Sequence, residues 1–173
     1  EGVTIQTNAA FIQGIFGIGG EARGDIKVLV KNREEELSSE LINESHQGKI
    51  IVGGSFITLN TFKKAMSLKV AGVVVGGFNY YDLEEILGYT LGVAITGSEE
   101  IETSLIVTEG YGNIKMSKRT FDLLSDYNKN FASINGATQI RAGVIRPEIV
   151  IPLKEKNLKK DPLSSTSQGI QKG

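Results

Sequence analysis

The stretch "IIVGGSFI" at Ile50–Ile57 contains an apolar run that ends in two glycines and a serine. A second stretch, "VVVGGFN" at Val73–Asn79, repeats the same apolar run and glycine pair. Continuous apolar runs that alternate with helices are typical of a parallel sheet that is covered on both faces. Residues 59–69 supply such a helix, because Thr58 can cap its start and an apolar stripe follows at helical spacing. We therefore predict that this part of the chain is a β-α-β unit.

The whole pattern predicts an α/β domain with a mixed, largely parallel sheet, covering helices and an N-terminal β-hairpin or meander. Residues 1–152 form this single domain, with the N-terminal β unit in residues 1–31 and the βα core in residues 49–152. The glycine-rich segment Gly14–Gly24 is predicted to be a turn or a loop. Residues 153–173 contain few apolar side chains and many turn formers, which predicts a flexible tail or linker.

Individual elements follow from local patterns of alternation, helical spacing and capping residues. The predicted strands are Val3–Thr7, Ala9–Ile15, Asp25–Val30, Lys49–Val52, Val70–Val75, Leu91–Ile95, Ser104–Val107, Phe131–Ile134, Thr138–Ala142 and Glu148–Ile151. The predicted helices are 40–45, 59–69, 82–87 and 118–127, of which the last begins after the capping residue Ser117.

The composition excludes several classes of function. The chain has no cysteine, which excludes disulfides, thiol catalysis and metal sites with cysteine ligands. The net charge is −1, which gives no electrostatic case for nucleic acid or for an anionic membrane surface. The apolar runs are far too short to span a membrane. A cysteine-free chain fits a reducing cytosol, so we expect a cytoplasmic protein, and the first residue, Glu1, indicates a piece of a longer chain.

Small residues follow four of the predicted strands, and this edge is the candidate binding site. In open α/β sheets, ligands bind at the carboxyl ends of the strands. Backbone amides in such loops can bind an anion, and a neighbouring helix N-terminus strengthens that binding. Alternatively, the glycines only permit tight turns and close packing. The candidate ligand-binding residues in these loops are Gly53, Gly54, Ser55, Gly76, Gly77, Thr96 and Ser98.

Three charged residues near this edge are further candidates for ligand binding. Glu109, at the end of a predicted strand, could act as a base or bind a ligand, or it could cap the turn at residues 110–112. Arg141 and Arg146 lie near otherwise apolar strands, and either could clamp a carboxylate or phosphate with two hydrogen bonds. Either arginine could instead pair with Glu148 or Glu109.

The chain offers few side chains for catalysis. His46 is the sole histidine and lies in a polar connector, where we expect it to be exposed and inactive. No nucleophile elbow accompanies it, and no pair of acids stands at the spacing of metal ligands. We therefore predict no catalytic residue, no metal and no cofactor, which makes an enzyme the less favoured class.

Six phrases of this chain stand out as a set: "FIQGIFGIGGEARG", "GKIIVGGSFITL", "AGVVVGGF", "LGVAITGSEEI", "LIVTEGYG" and "SINGATQIRAGVIRPEI". Together they resemble a family of prokaryotic proteins that has no assigned activity. In that family, the module lies between a lipoyl-like β-sandwich segment and a small KOW-like β-barrel, and the resemblance covers about residues 2–152. It implies that the partners are flanking domains of the same chain. A weaker similarity is to swivelling β/β/α domains.

These observations favour a non-catalytic module that senses a ligand, docks a partner or acts as a spacer within a larger cytoplasmic protein. The alternative is an enzyme or nucleotide-type binder that acts on a small anionic metabolite at the glycine-rich strand ends. The two hypotheses differ in geometry. A binder needs a concave pocket at the strand ends, whereas a spacer has those loops packed shut.

Overall fold

A computed structural model describes residues 9–82, 85, 103–136 and 146–152 of the 173-residue chain. Its strands are β1 (Ala9–Gln13), β2 (Phe16–Ile18), β3 (Glu21–Val28), β4 (Ile50–Val52), β5 (Phe56–Ile57), β6 (Gly72–Phe78), β7 (Ser104–Tyr111), β8 (Phe131–Asn135) and β9 (Glu148–Pro152). Its α-helices are α1 (Leu59–Ser67) and α2 (Lys118–Asp126), its 3₁₀ helices are Ser39–Leu41 and Glu44–His46, and residues 80–82 and 85 are also helical.

The strands form a sheet that closes on itself. Their hydrogen-bonded order is β1-β9-β8-β3-β4-β6-β7-β2, with β5 beside β6. The two ends of this order, β1 and β2, are separated by only Gly14 and Ile15. The Gly14 amide donates to the Pro147 carbonyl at 2.8 Å, and the Ile15 amide donates to the Val107 carbonyl at 2.8 Å. Residues 9–18 are therefore one continuous stretch that leaves β9 and joins β7.

Strand β3 divides the sheet into an antiparallel half and a mainly parallel half. Residues Glu21–Asp25 pair antiparallel with β8, whereas Ile26–Val28 pair parallel with β4. The two halves face each other. They are in contact, because the side chain of Ile134 on β8 fills the space above Gly72 on β6. The core lies between them.

The predicted fold class is wrong. The described residues contain four antiparallel and four parallel strand pairings, so the sheet is mixed but not largely parallel. Strands dominate over helices, so the domain is more β than α/β or swivelling-like. The N-terminal hairpin or meander is also wrong, since β1 pairs with β9, β2 with β7, and β3 with β8 and β4. Gly14–Gly24 is not a loop, because it contains β2 and the start of β3.

The burial pattern differs between the parallel and the antiparallel strands. Every residue of β4 and β6 is buried, as expected for parallel strands covered on both faces. By contrast, β8 and β9 alternate between buried and more exposed positions, which is typical of antiparallel strands with one face toward solvent. The first pattern dominates the middle of the chain, and the second dominates its ends.

The β-α-β unit at Lys49–Val75 is confirmed as two adjacent parallel strands joined by a helix. Residues Ile50–Val52 pair with Gly72–Val74, and α1 lies between them in the chain. The Thr58 side chain accepts a hydrogen bond from the Thr61 amide at 3.2 Å and so caps α1. Phe62 on α1 is fully buried, and its ring centroid lies 6.4 Å from that of Phe78 on β6. This aromatic contact fixes the helix on the sheet.

Several predicted elements lie outside the described residues. They are the strands Val3–Thr7, Leu91–Ile95 and Thr138–Ala142, most of the helix at 82–87, and the tail at 153–173. Among the residues that are described, no helix combines the length and the apolar character needed to cross a membrane.

Candidate functional site

The two glycine pairs occupy different positions in the sheet. Gly53 and Gly54 follow β4, as predicted. Gly76 and Gly77 do not form a loop after Val75, because β6 continues through them to Phe78. The pairing of β6 with β7 shifts register between Val75 and Gly77, so the strand is irregular at this point. The glycines therefore belong partly to the strand and not only to a turn.

Residues 32–37, which include three consecutive glutamates, lie directly against the end of β4. The Glu35 carbonyl accepts hydrogen bonds from the amides of Gly54 at 3.1 Å and Ser55 at 3.0 Å. A Cβ atom at Gly54 would lie 2.6 Å from that carbonyl oxygen, closer than real contacts allow. The Ser55 hydroxyl donates to the Glu34 carbonyl at 2.9 Å. The donors of Gly54 and Ser55, which were predicted to bind an anion, are therefore bonded to this segment.

Residues 112–116 lie in the same way against β6. The Met116 amide donates to the Gly54 carbonyl at 3.0 Å, and the Gly112 amide donates to the Phe78 carbonyl at 2.8 Å. A Cβ atom at Gly76 would overlap the Ile114 carbonyl and lie 2.7 Å from the Met116 nitrogen. A Cβ atom at Gly77 would overlap the Gly112 carbonyl. Close packing of backbone on backbone accounts for both glycines.

Two basic residues join these covering segments to each other. The Arg33 guanidinium donates to the Met116 carbonyl at 3.1 Å. The Lys115 ammonium lies 3.8 Å from the Glu34 carboxylate in an exposed ion pair. The 32–37 segment and the 112–116 segment are thus linked across the ends of β4 and β6, where a ligand would otherwise enter.

The charged candidates do not converge on one point. Glu109 is half-buried, and its Oε2 accepts a hydrogen bond from the Ser117 amide at 3.0 Å, so it stabilises the start of α2. Arg146 is exposed, and within the described residues no ion pair joins it to Glu148 or Glu109. Arg141, Thr96 and Ser98 lie outside the described residues, so their part in an anion site stays a prediction.

His46 is buried and not exposed, so its predicted environment is wrong. Only 5% of its surface is accessible. Its Nδ1 accepts a hydrogen bond from the Asn43 amide at 3.2 Å, as part of a capping box around the 3₁₀ helix Glu44–His46. Burial lowers the pKa of His46 below its usual value of 6.5, and the nearby charges of Lys27 and Lys49 lower the pKa further. The neutral imidazole therefore has a structural role as a hydrogen-bond acceptor.

The described residues contain no group of three or more His, Cys, Asp or Glu side chains that could hold a metal ion. A shallow groove lies away from the strand ends, between the second 3₁₀ helix and α1. Its lining residues are Ile42, Asn43, Glu44, Ser45, Lys64 and Leu68.

Sequence reasoning missed a cluster of aromatic rings, which we name the aromatic patch and define as the half-buried Phe16 and the exposed Tyr80, Tyr81 and Tyr111. The ring centroids of Phe16 and Tyr111 are 6.2 Å apart, those of Tyr111 and Tyr80 are 5.4 Å apart, and those of Tyr80 and Tyr81 are 5.9 Å apart. The exposed fractions are 49% for Tyr80, 78% for Tyr81 and 50% for Tyr111. A signal was present, because three of the five tyrosines stand at the ends of β6 and β7.

Comparisons with known proteins give no match to a family model, to a curated protein or to a solved structure. The resemblance to the prokaryotic family, with its flanking segments, therefore stays a prediction.

We expect Gly77→Ala to lower the free energy of unfolding by about 3 kcal/mol, the upper end of the range for overpacking, because the added methyl group would collide with backbone. Gly20→Ala is the matched control, since a Cβ atom at Gly20 meets no other atom within 4 Å. The measurement is urea denaturation of both variants beside the unchanged protein. Equal stability of the two variants would show that the strand ends are not tightly covered.

We expect acidification to destabilise the domain through His46. The pKa of His46 is lower in the folded state than in the unfolded chain. As the pH drops below about 6.5, the unfolded chain therefore binds more protons than the folded domain, and the free energy of unfolding decreases. The loss develops from about pH 6.5 down to the folded-state pKa of His46. His46→Gln keeps an acceptor near the Asn43 amide but does not titrate. Thermal midpoints measured between pH 8 and pH 5 should fall more steeply for the unchanged protein, and parallel curves would refute this role.

Proposed function

We propose that this domain is a non-catalytic docking module of a larger protein, as the family resemblance implies, and that the protein is cytoplasmic, as the cysteine-free sequence favours. The observation that carries the proposal is the covering of the β4 and β6 ends by the 32–37 and 112–116 segments. The chain fills with its own backbone the edge where parallel strands usually bind ligands.

The hydrogen bonding at this edge supports docking over the binding of a small anion. The amides of Gly54 and Ser55 both donate to the Glu35 carbonyl, and the Gly53 amide donates to the Val74 carbonyl at 2.8 Å. An anion would have to displace these carbonyls and leave them without donors. Unpaired buried carbonyls cost about 1–3 kcal/mol each, which opposes such an exchange.

Two side chains that could act as an acid or a base already have structural partners. His46 accepts from the Asn43 amide, and Glu109 accepts from the Ser117 amide. Each side chain therefore stabilises nearby backbone, whereas general acid–base catalysis needs a group that faces the reacting atoms of a substrate. This arrangement favours a binding role over a catalytic one.

Exposed tyrosines on the surface also support docking. Exposed tyrosines in contact with one another are enriched at protein interfaces, because each ring offers apolar area at low entropic cost and carries a polar hydroxyl. The aromatic patch is such a surface, and it lies near the covered strand ends. The domain therefore presents a rigid outer surface in place of an open cleft.

An anion titration tests the proposal. Phosphate, sulfate and citrate are added to the labelled protein while amide chemical shifts are followed, with chloride at matched ionic strength as the control. We expect no saturable change at Gly53, Gly54, Ser55, Gly76 or Gly77, because covered amides cannot reach the anion. A saturable change at these amides with a Kd tighter than about 1 mM, roughly 4 kcal/mol of binding, would contradict the docking proposal and support the anionic-metabolite alternative.

A further inference from the structure

The backbone that carries the aromatic patch is fixed by hydrogen bonds before any partner binds. The Asn79 side chain accepts hydrogen bonds from the amides of Tyr81 at 2.8 Å and Asp82 at 3.3 Å, which fixes the turn that carries two of the rings. Tyr111 is anchored because β7 pairs with β6, where Tyr111 lies opposite the buried Phe78. A partner would therefore not have to order the backbone that carries these rings.

The geometry of the rings leaves aromatic surface open to solvent. Tyr80 meets Tyr81 at an interplanar angle of 83° and meets Tyr111 at 84°, so these rings contact one another edge to face. Such contacts use the edge of one ring and one face of the other. With half or more of Tyr81 and Tyr111 accessible, aromatic surface remains free for a partner. The faces of tyrosine rings carry negative electrostatic potential and attract cations.

The charged side chains of the segments that carry the rings also favour a cationic partner. The described residues of the segments that bear the tyrosines, at 79–82, 85 and 108–116, include three carboxylates and a single lysine. The carboxylates belong to Asp82, Glu85 and Glu109. Two of these groups are already in ion pairs, because Lys115 lies 3.8 Å from Glu34 and Glu85 lies 3.6 Å from the ammonium of Lys63. Glu109 already accepts a hydrogen bond from the Ser117 amide. A cationic partner would therefore gain from the ring faces and from the carboxylate of Asp82, the residue after Tyr81, whereas an anionic partner would be repelled.

We propose that the aromatic patch binds arginine side chains of a partner protein segment. Arginine is favoured over a point charge because its planar guanidinium stacks on tyrosine and pairs with a carboxylate at the same time. The stem of the arginine can contact Ile114, which is 37% exposed and follows Tyr111 closely in the chain. This inference rests on the proposed docking function and names its surface and the chemistry of its partner.

The test uses a short acetylated peptide with two arginines between glycines, and a matched peptide with neutral citrulline in place of arginine. Ring resonances of the tyrosines report the site, and their shifts give the affinity. We expect the arginine peptide to shift the rings of Tyr80, Tyr81 and Tyr111. We expect the citrulline peptide to bind roughly two- to fivefold more weakly, which is the size of an exposed cation–π contribution.

Three variants locate the interaction. Tyr81→Leu, at the most exposed ring of the patch, should weaken arginine-peptide binding by about the same factor, whereas Tyr81→Phe keeps the ring and should bind as well as the unchanged protein. Phe11→Leu changes an exposed aromatic residue on β1, outside the patch, and should have no effect. Three results would overturn this inference: equal binding of the citrulline and arginine peptides, weaker arginine-peptide binding by Phe11→Leu, or no shift of the tyrosine rings. These outcomes leave the anion titration unaffected, so they reject the arginine partner without rejecting the docking function.

Discussion

The ends of β4 and β6 carry glycines because two other parts of the chain lie directly against their backbones. Any side chain at Gly54, Gly76 or Gly77 would collide with a carbonyl or an amide of the covering segments. This contact places Met116 in the core, and Ser117, the next residue, then caps α2. The same contact allows the Glu109 carboxylate to reach the Ser117 amide. The position of α2 on the sheet thus depends on backbone packing at glycine.

Closure of the sheet has a related consequence for function. Residues 9–18 join its two ends, so the strands of the described residues offer no open edge there to a partner strand. With the strand ends covered as well, the ordered surface that remains is made of side chains. Recognition by such a domain depends on exposed groups such as the aromatic patch, which is why we favour docking over catalysis.

The sequence was informative where a pattern is local. Continuous apolar runs located β4 and β6, and the caps at Thr58 and Ser117 located the helix starts, because both signals depend on neighbouring residues. The partners of β1 and β2 could not be predicted in this way, since Ala9 pairs with Pro152 and Phe16 pairs with Val107. Without those pairings, the N-terminal strands appeared to form a separate unit and the sheet appeared largely parallel.

The candidate site was predictable only in part, for the same reason. Glycines at strand ends are compatible with an open anion site and with close packing, and the sequence alone left both possibilities. The choice depends on residues 32–37 and 112–116, which are distant from the glycines in the chain. The first segment contains three consecutive glutamates, but its backbone carbonyls are the groups that bond to Gly54 and Ser55. The ring contacts between Phe16, Tyr80 and Tyr111 also join distant parts of the chain.

Native-state hydrogen exchange measures the covering of the strand ends most directly. The amides of Gly54, Ser55 and Met116 donate to carbonyls across the two segments and β4. If the segments stay in place, these amides open only when the domain unfolds, and they should exchange as slowly as the amide of Val74 in the core. Exchange of Gly54, Ser55 and Met116 at the fast rate of exposed loop amides, while Val74 stays protected, would show that the strand ends open and would contradict the account.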